Sequence, residues 1–240
     1  PLYDGINWLQ IGVDSTAELT MPRVENPRKM GKIVIYGTSI QQGGCASRTG
    51  MVPSAMIQRD FNLECVNIAT SGQARMDFYI AEAMASIEDA ICYVVDPVPN
   101  CTKDRCDTAT YDFIKILRTL RPEVPIVMVE GLMYPYTRHD SYHAEYLPQK
   151  NECFRRGFDE HVAENPKGMY YMTHEGQTGP EMEGTVDGVH LTDYGFRAYA
   201  DLLEIHIKEA LDDTDVDYDV EPAYNVVRKK TFWERLKDLF

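Results

Sequence analysis

Residues 32–44 read KIVIYGTSIQQGG. The run KIVIY is short, apolar and β-branched without polar alternation, the pattern of a strand covered on both faces. It stops at Gly37, and Gly43-Gly44 closes the next segment, so the chain turns sharply out of a strand. Four more runs repeat the signal: 64–69 (ECVNIA), 91–95 (ICYVV), 125–129 (PIVMV) and a weaker 169–172 (MYYM). Helical periodicity is expected between and after them, over 53–60, 77–87, 110–120, 146–164 and 192–211. Ile80, Met84 and Ile87 share one stripe, Phe113, Ile116, Leu117 and Leu120 another, and Thr192 is placed to cap the last helix. Strand and helix in alternation predict an α/β fold with a parallel sheet covered by helices on both faces.

A chain of 240 residues with 44% hydrophobic and 26% charged residues suits one large globular domain with a full core. Its 24 Lys and Arg stand against 38 Asp and Glu, a formal net charge of −14. That balance excludes a phosphate-reading nucleic-acid binder and argues against docking on an anionic membrane surface. No run approaches the ~20 apolar residues of a membrane span. Of the six cysteines, Cys65 and Cys92 sit in apolar runs and read as buried thiols. A disulfide between Cys101 and Cys106 is one open reading.

In a doubly wound sheet, ligands gather at the carboxyl ends of the strands, so the residues just after each strand carry the chemistry. After the first come Gly37-Thr38-Ser39-Ile40-Gln41-Gln42-Gly43-Gly44. No GxGxxG spacing runs from Gly37, and no Lys-Ser/Thr follows Gly43, so neither a dinucleotide fingerprint nor a P-loop is present. What remains is Ser39 on a tight turn, either a nucleophile or a helix cap. Gly72 follows the second strand, where it could aim a backbone N–H into the cleft or simply make a turn. Asn100 follows the third, as an oxyanion donor or an Asx-turn. Asp187-Gly188-Val189-His190 enters the last helix, and a carboxylate three residues before an imidazole can fix its tautomer for general-base work.

A serine, a glycine, an asparagine and a DxxH in this order resemble the SGNH (GDSL-type) hydrolase superfamily over roughly residues 32–210. Ser39 matches its first block, although this chain reads GTSI where the name-giving form reads GDSL. Gly72 matches the second, Asn100 the third, and Asp187 with His190 the fifth. GTSIQQGGCASRTGM, NIATSGQARMD and VVDPVPNCT look closer to one GDSL-like lipase/acylhydrolase subfamily with carbohydrate-esterase character. The resemblance implies a three-layer α/β/α sandwich around a mostly parallel five-stranded sheet, flavodoxin-like in type. It also implies Ser39 as nucleophile, His190 as base and Asp187 as its orienting acid. The oxyanion hole would be the N–H groups of Ser39 and Gly72 with the Asn100 side chain, and no metal or cofactor is called for. The substrate class it implies is a short-chain, acetyl ester on a carbohydrate, carried by a small molecule or an oligosaccharide. A lipid or thioester acylhydrolase and a non-catalytic carbohydrate-binding relative are the alternatives.

Several expectations lie outside those blocks. Relatives carry a β-rich domain upstream, and residues 1–30 read as its remnant or edge plus a linker, with Trp8, Leu9, Ile11 and Val13 able to line an edge strand. The hydrolase domain is expected over 31–211. Residues 212–240 are expected to be an acidic linker and a C-terminal helix packed on the domain. The chain starts at Pro1 without an initiator Met, and a periplasmic or secreted location is expected, with the cytoplasm as the other reading. Arg48 is a candidate substrate contact, or else a surface arginine paired with an acid. The cleft loops carry polar residues, among them Gln41, Gln42, Gln73, Arg75, His174, Glu175, Gln177, Glu181 and Glu183, and the sequence leaves open which of them face the site. His139 and His143 have i, i+4 metal-ligand spacing but no third ligand spaced to join them.

Overall fold

Five strands, β1 (Lys32–Gly37), β2 (Glu64–Asn67), β3 (Ala90–Asp96), β4 (Ile126–Val129) and β5 (Met169–Met172), alternate with six helices. These are α1 (Ser39–Gln42), α2 (Pro53–Phe61), α3 (Phe78–Ala85), α4 (Lys103–Leu120), α5 (Ser141–Glu164) and α6 (Asp193–Asp212). The computed structural model describes Tyr3, residues 5–20 and residues 31–214. The strands form one sheet in the order β2-β1-β3-β4-β5. Every pairing is parallel, with Lys32 against Glu64, Gly37 against Asp96, and Val129 against Met172 in register. This is the flavodoxin-like order, whose reversal point lies between β1 and β3.

Successive side chains of β1 feed opposite faces of the sheet, as strand geometry requires. Ile33 and Ile35 enter a core with Met56 and Ile57 of α2 and Phe196, Tyr199, Leu203 and Ile207 of α6. Val34 and Tyr36 enter a second core with Met84 of α3, Phe113 and Leu117 of α4, and Phe154 and Phe158 of α5. Both faces are therefore dry, which is why the strands read as continuous apolar runs. Burying each of these large side chains contributes about 1.5–3 kcal/mol.

Two helices start earlier than their periodicity predicts. The Thr102 hydroxyl accepts from the Arg105 N–H at 3.1 Å and starts α4 at Lys103 rather than at 110. Its first turns are polar outside Cys106 and Ala109, so no stripe announces them. The Asp140 carboxylate accepts from the His143 N–H at 3.1 Å and starts α5 at Ser141 rather than at 146. Pro148 thus lies inside α5, not in its first turn. Buried Leu147, Asn151 and Phe154 hold the helix together across the lost hydrogen bond.

The expected edge strand in the N-terminal segment is not found: residues 5–20 form none. Trp8, Leu9 and Ile11 are each at least 75% exposed, away from the sheet. A strand needs a neighbour for its N–H and C=O groups, and this segment pairs with none of the described strands. All six cysteines are free thiols, so Cys101 and Cys106 are not bridged. Both are buried and lie close enough to hydrogen-bond. Most of the acidic run and the C-terminal helix expected before residue 240 fall outside the described residues. Among those described, no helix is long and apolar enough to cross a membrane.

Candidate active site

β1 occupies the position between β2 and β3, so the loops leaving those two strands flank the turn that carries Ser39. That turn is held tightly. The Thr38 side chain accepts from the Ile40 N–H at 3.3 Å, and the Gly43 and Gly44 N–H groups close on the Ser39 carbonyl at 3.0 and 2.7 Å. Thr38, not Ser39, is therefore the capping residue, which leaves the Ser39 hydroxyl free for another partner. Gly37 is required by close approach, since a Cβ there would stand 2.5 Å from Gln41 Cγ.

The other partner is His190, whose Nε2 lies 2.8 Å from Ser39 Oγ. On its far side, His190 Nδ1 lies 2.7 Å from Asp187 Oδ2. The second carboxylate oxygen, Oδ1, accepts from the N–H groups of Val189 at 2.9 Å and His190 at 2.7 Å. The DGVH segment is thus a self-bonded turn, made possible by the left-handed backbone at Gly188 (φ 88°). The Val186 N–H donates to the His190 carbonyl at 2.8 Å and pins its base, next to the Thr185–Leu191 bridge. The hydrogen bond from His190, assisted by the two N–H groups, holds the Asp187 carboxyl down at about 2. With Asp187 ionised, Nδ1 carries the ring proton and Nε2 is the acceptor facing the serine.

Gly72 sits in the exposed turn after β2, at φ 72°, with open space where a side chain would project. The adjacent Ser71 N–H donates to Gln42 Oε1 at 2.7 Å, tying this turn to α1. Asn100 ends a short 3₁₀ turn (Val98–Asn100) after β3, and its Oδ1 accepts from the Ala74 N–H at 3.3 Å. That bond assigns the oxygen to one side and leaves the Asn100 NH₂ as the donor on the other. Arg48 is exposed and lies near the Asp193 carboxylate, which Ser47 also holds.

Several residues here carried no sequence signal. Beneath the nucleophile turn, buried Asp96 accepts from the Tyr199 hydroxyl at 2.8 Å and from Gln41 Nε2 at 3.1 Å. Burial pushes the Asp96 carboxyl up to about 7 against those two bonds. Gln41 is thus a buried brace, not a cleft residue. The same holds for Gln177, which donates to the Glu130 and Thr173 carbonyls. Tyr136 lies against Gly188, where a Cβ would come within 2.8 Å of its ring, and stacks on Tyr134 at 5.3 Å between centroids. Tyr142, 64% exposed, stacks on Tyr146 at 5.4 Å and meets His143 edge-on. The Tyr3 hydroxyl and His190 Cδ2 both border Gly44, at 2.9 and 3.1 Å from where its Cβ would stand. The N-terminal segment therefore reaches the site. The His139–His143 pair gathers no metal-ligand set among the described residues, and His143 Nδ1 bonds Asp140 at 2.6 Å instead.

A model of the GDSL-like Lipase/Acylhydrolase family matches residues 30–208. Sequence comparison with curated proteins returns no match. Among solved structures, the chain is similar to a protein designated a GDSL-like lipase from Bacteroides ovatus, with 32% identity and a TM-score of 0.73. The match covers 78% of this chain and 55% of that one. It shares its fold with a salicylyl-acyltransferase from a tetracycline biosynthetic pathway at 17% identity and a TM-score of 0.66, covering 85% of this chain and 60% of that one. A family two carbohydrate esterase from Clostridium thermocellum, in complex with cellohexaose, follows at 17% identity and a TM-score of 0.60, covering 82% and 68%. The chain thus spans little more than half the length of the first two of these proteins.

Proposed function

Since the chain belongs to the GDSL-like lipase/acylhydrolase family, we propose that it is a serine-dependent carboxylic ester hydrolase. The observation that carries this is the continuous relay from Ser39 Oγ through both His190 nitrogens to Asp187. Ser39 Oγ attacks the ester carbonyl carbon while its proton passes to His190 Nε2. Asp187 stabilises the imidazolium that results. The C–O bond to the alcohol then breaks, and the alcohol leaves with the proton from Nε2. Water attacks the acyl-enzyme, returns a proton through His190, and frees the acid and Ser39. The Ser39 and Gly72 N–H groups and the Asn100 NH₂ are the proposed donors to the oxyanion. Their setting supports this, because the β2 and β3 loops flank Ser39 and the Ala74 N–H orients Asn100.

The substrate we propose is a short-chain, acetyl ester on a carbohydrate. Tyr136, which lies half-buried against Gly188 of the DGVH turn, supports it, since an aromatic ring beside the site suits the C–H face of a sugar. Exposed Gln73, Arg75 and Glu175 add polar groups to the neighbouring loops, where a lipid site would want an apolar trough. The exposed apolar row at Trp8, Leu9 and Ile11 supports keeping this segment apart from the hydrolase sheet. Two measurements test the proposal. A fluorophosphonate probe should label Ser39, and rates on aryl acetate, butyrate, octanoate and palmitate should peak at the short end. Absence of labelling overturns the serine mechanism. A maximum at octanoate or beyond overturns the acetyl assignment and favours a lipid acylhydrolase.

A further inference from the structure

The Cys45 side chain, exposed on the loop after the nucleophile turn, stands beside the imidazole–carboxylate pair. Its thiol, a carboxylate oxygen of Asp187 and a ring nitrogen of His190 all lie within 4.8 Å of one another. No other group of His, Cys, Asp and Glu with this closeness occurs among the described residues. Cys45 holds the left-handed backbone conformation (φ 71°), which non-glycine residues seldom adopt. The turn that imposes it is closed by the Ala46 N–H on the Gly43 carbonyl at 3.1 Å.

We propose that Cys45, Asp187 and His190 form an inhibitory site for a thiol-seeking divalent ion, with Zn²⁺ as its type. The donor set is one sulfur, one imidazole nitrogen and one carboxylate oxygen, which suits zinc and leaves a fourth position for water. Ligand atoms around tetrahedral zinc stand about 3–4 Å apart, so the three groups need only small movements to close. Binding displaces the Cys45 thiol proton to solvent. It also disables the base through either nitrogen. An ion on Nδ1 takes the place of the proton shared with Asp187, and that proton moves to Nε2, which then cannot accept from Ser39. An ion on Nε2 occupies that lone pair directly. Hard cations such as Mg²⁺ find a poor partner in the thiol and leave the relay intact.

The inhibition rests on the serine-hydrolase reading; the binding does not. The full chain is titrated with Zn²⁺ while aryl acetate hydrolysis and fluorophosphonate labelling are followed, and with Co²⁺ while absorption is followed. Zn²⁺ should slow both reactions, a chelator should restore them, and Mg²⁺ should do neither. Co²⁺ should give a thiolate-to-cobalt charge-transfer band. Cys45→Ser and Cys45→Gly, each compared with its own metal-free rate, should need roughly tenfold or more Zn²⁺ for half inhibition and lose the band, since even weaker outer partners are worth that much. Glycine suits the left-handed backbone, so Cys45→Gly guards against a folding defect. Equal inhibition of the wild type and both variants, or a band that survives them, overturns the proposal. If the metal-free chain neither hydrolyses nor labels, the hydrolase reading fails, while a band that depends on Cys45 still upholds the site.

Discussion

Two histidines at the carboxyl end of the sheet hold a carboxylate through Nδ1 at 2.7 Å: His190 with Asp187, and His174 with Glu130. Taken as pairs they are nearly interchangeable. They differ in what surrounds them. Glu130 is nearly buried at the end of β4, and it also accepts from the His174 N–H at 3.0 Å, so this pair clasps the ends of β4 and β5. The far nitrogen of His174 lies 3.9 Å from a Glu175 carboxylate oxygen. The Asp187 carboxylate is held by its own turn, and the far nitrogen of His190 meets Ser39 at 2.8 Å. A histidine–carboxylate pair is therefore a positioning device that serves packing as readily as chemistry. What distinguishes a site is the third group.

The contrast is tested most sharply at that third group. Ser39→Ala should lower ester hydrolysis by about 10⁴-fold or more, with no covalent labelling and an unchanged melting temperature. His190→Ala should do comparable damage, because base and nucleophile act as a unit. Normal turnover in Ser39→Ala would erase the distinction between the two pairs altogether. Asp187→Asn should cost roughly 10²–10⁴ in kcat, since it removes the carboxylate that fixes the tautomer but not the base. Asn100→Ala should cost roughly 10²–10³ in kcat with little change in KM. An effect confined to KM would move Asn100 from the oxyanion to substrate binding.

The second pair should answer in the opposite currency. His174→Ala should leave turnover close to wild type and lower stability by about 1.5–3 kcal/mol in a denaturant titration, the range of a hydrogen bond to a charged partner. A loss of turnover with stability intact would promote His174 into the reaction. The smallest effect is in pH. The hydrogen bond to Glu130 raises the His174 pKa above its ordinary 6.5. Its contribution to stability is then complete below pH 6.5 and fades as pH rises through the raised value. The Asp187 carboxyl is depressed from 3.8 to about 2, so its contribution holds above pH 3.8 and fades as pH falls through about 2. Melting curves of the wild type and His174→Gln should converge as pH is raised. A gap that widened with pH would contradict the clasp.

The local features were legible in the chain itself. Continuous apolar runs exist because both sheet faces are covered, so all five strands could be read within a few residues. The strand-to-turn break at Gly37 and the DxxH spacing are local too, and Asp187 bonds His190 through a turn that its own four residues make. Helix starts set by a single side-chain cap, at Thr102 and Asp140, were not legible, because polar first turns leave no periodic trace. Nor was it legible which polar residues of the cleft loops face the site: Gln41 and Gln177 lie buried as braces, because an amide's role depends on which groups meet it.

Order along the chain determined which residue follows which strand, and hence that Ser39, Gly72 and Asn100 share one end of the sheet. Only the strand order, with β1 between β2 and β3, decided that the last two flank the first. Only packing brought Ser39 to within 2.8 Å of a histidine 151 residues away. It also seated Asp96 under the turn, and Tyr3 and Cys45 beside the imidazole. The physical reason is the range of the forces involved. Periodicity, capping and turn strain act over a few residues and leave their mark on the sequence, whereas close approach of distant segments arises when the cores on either face of the sheet close.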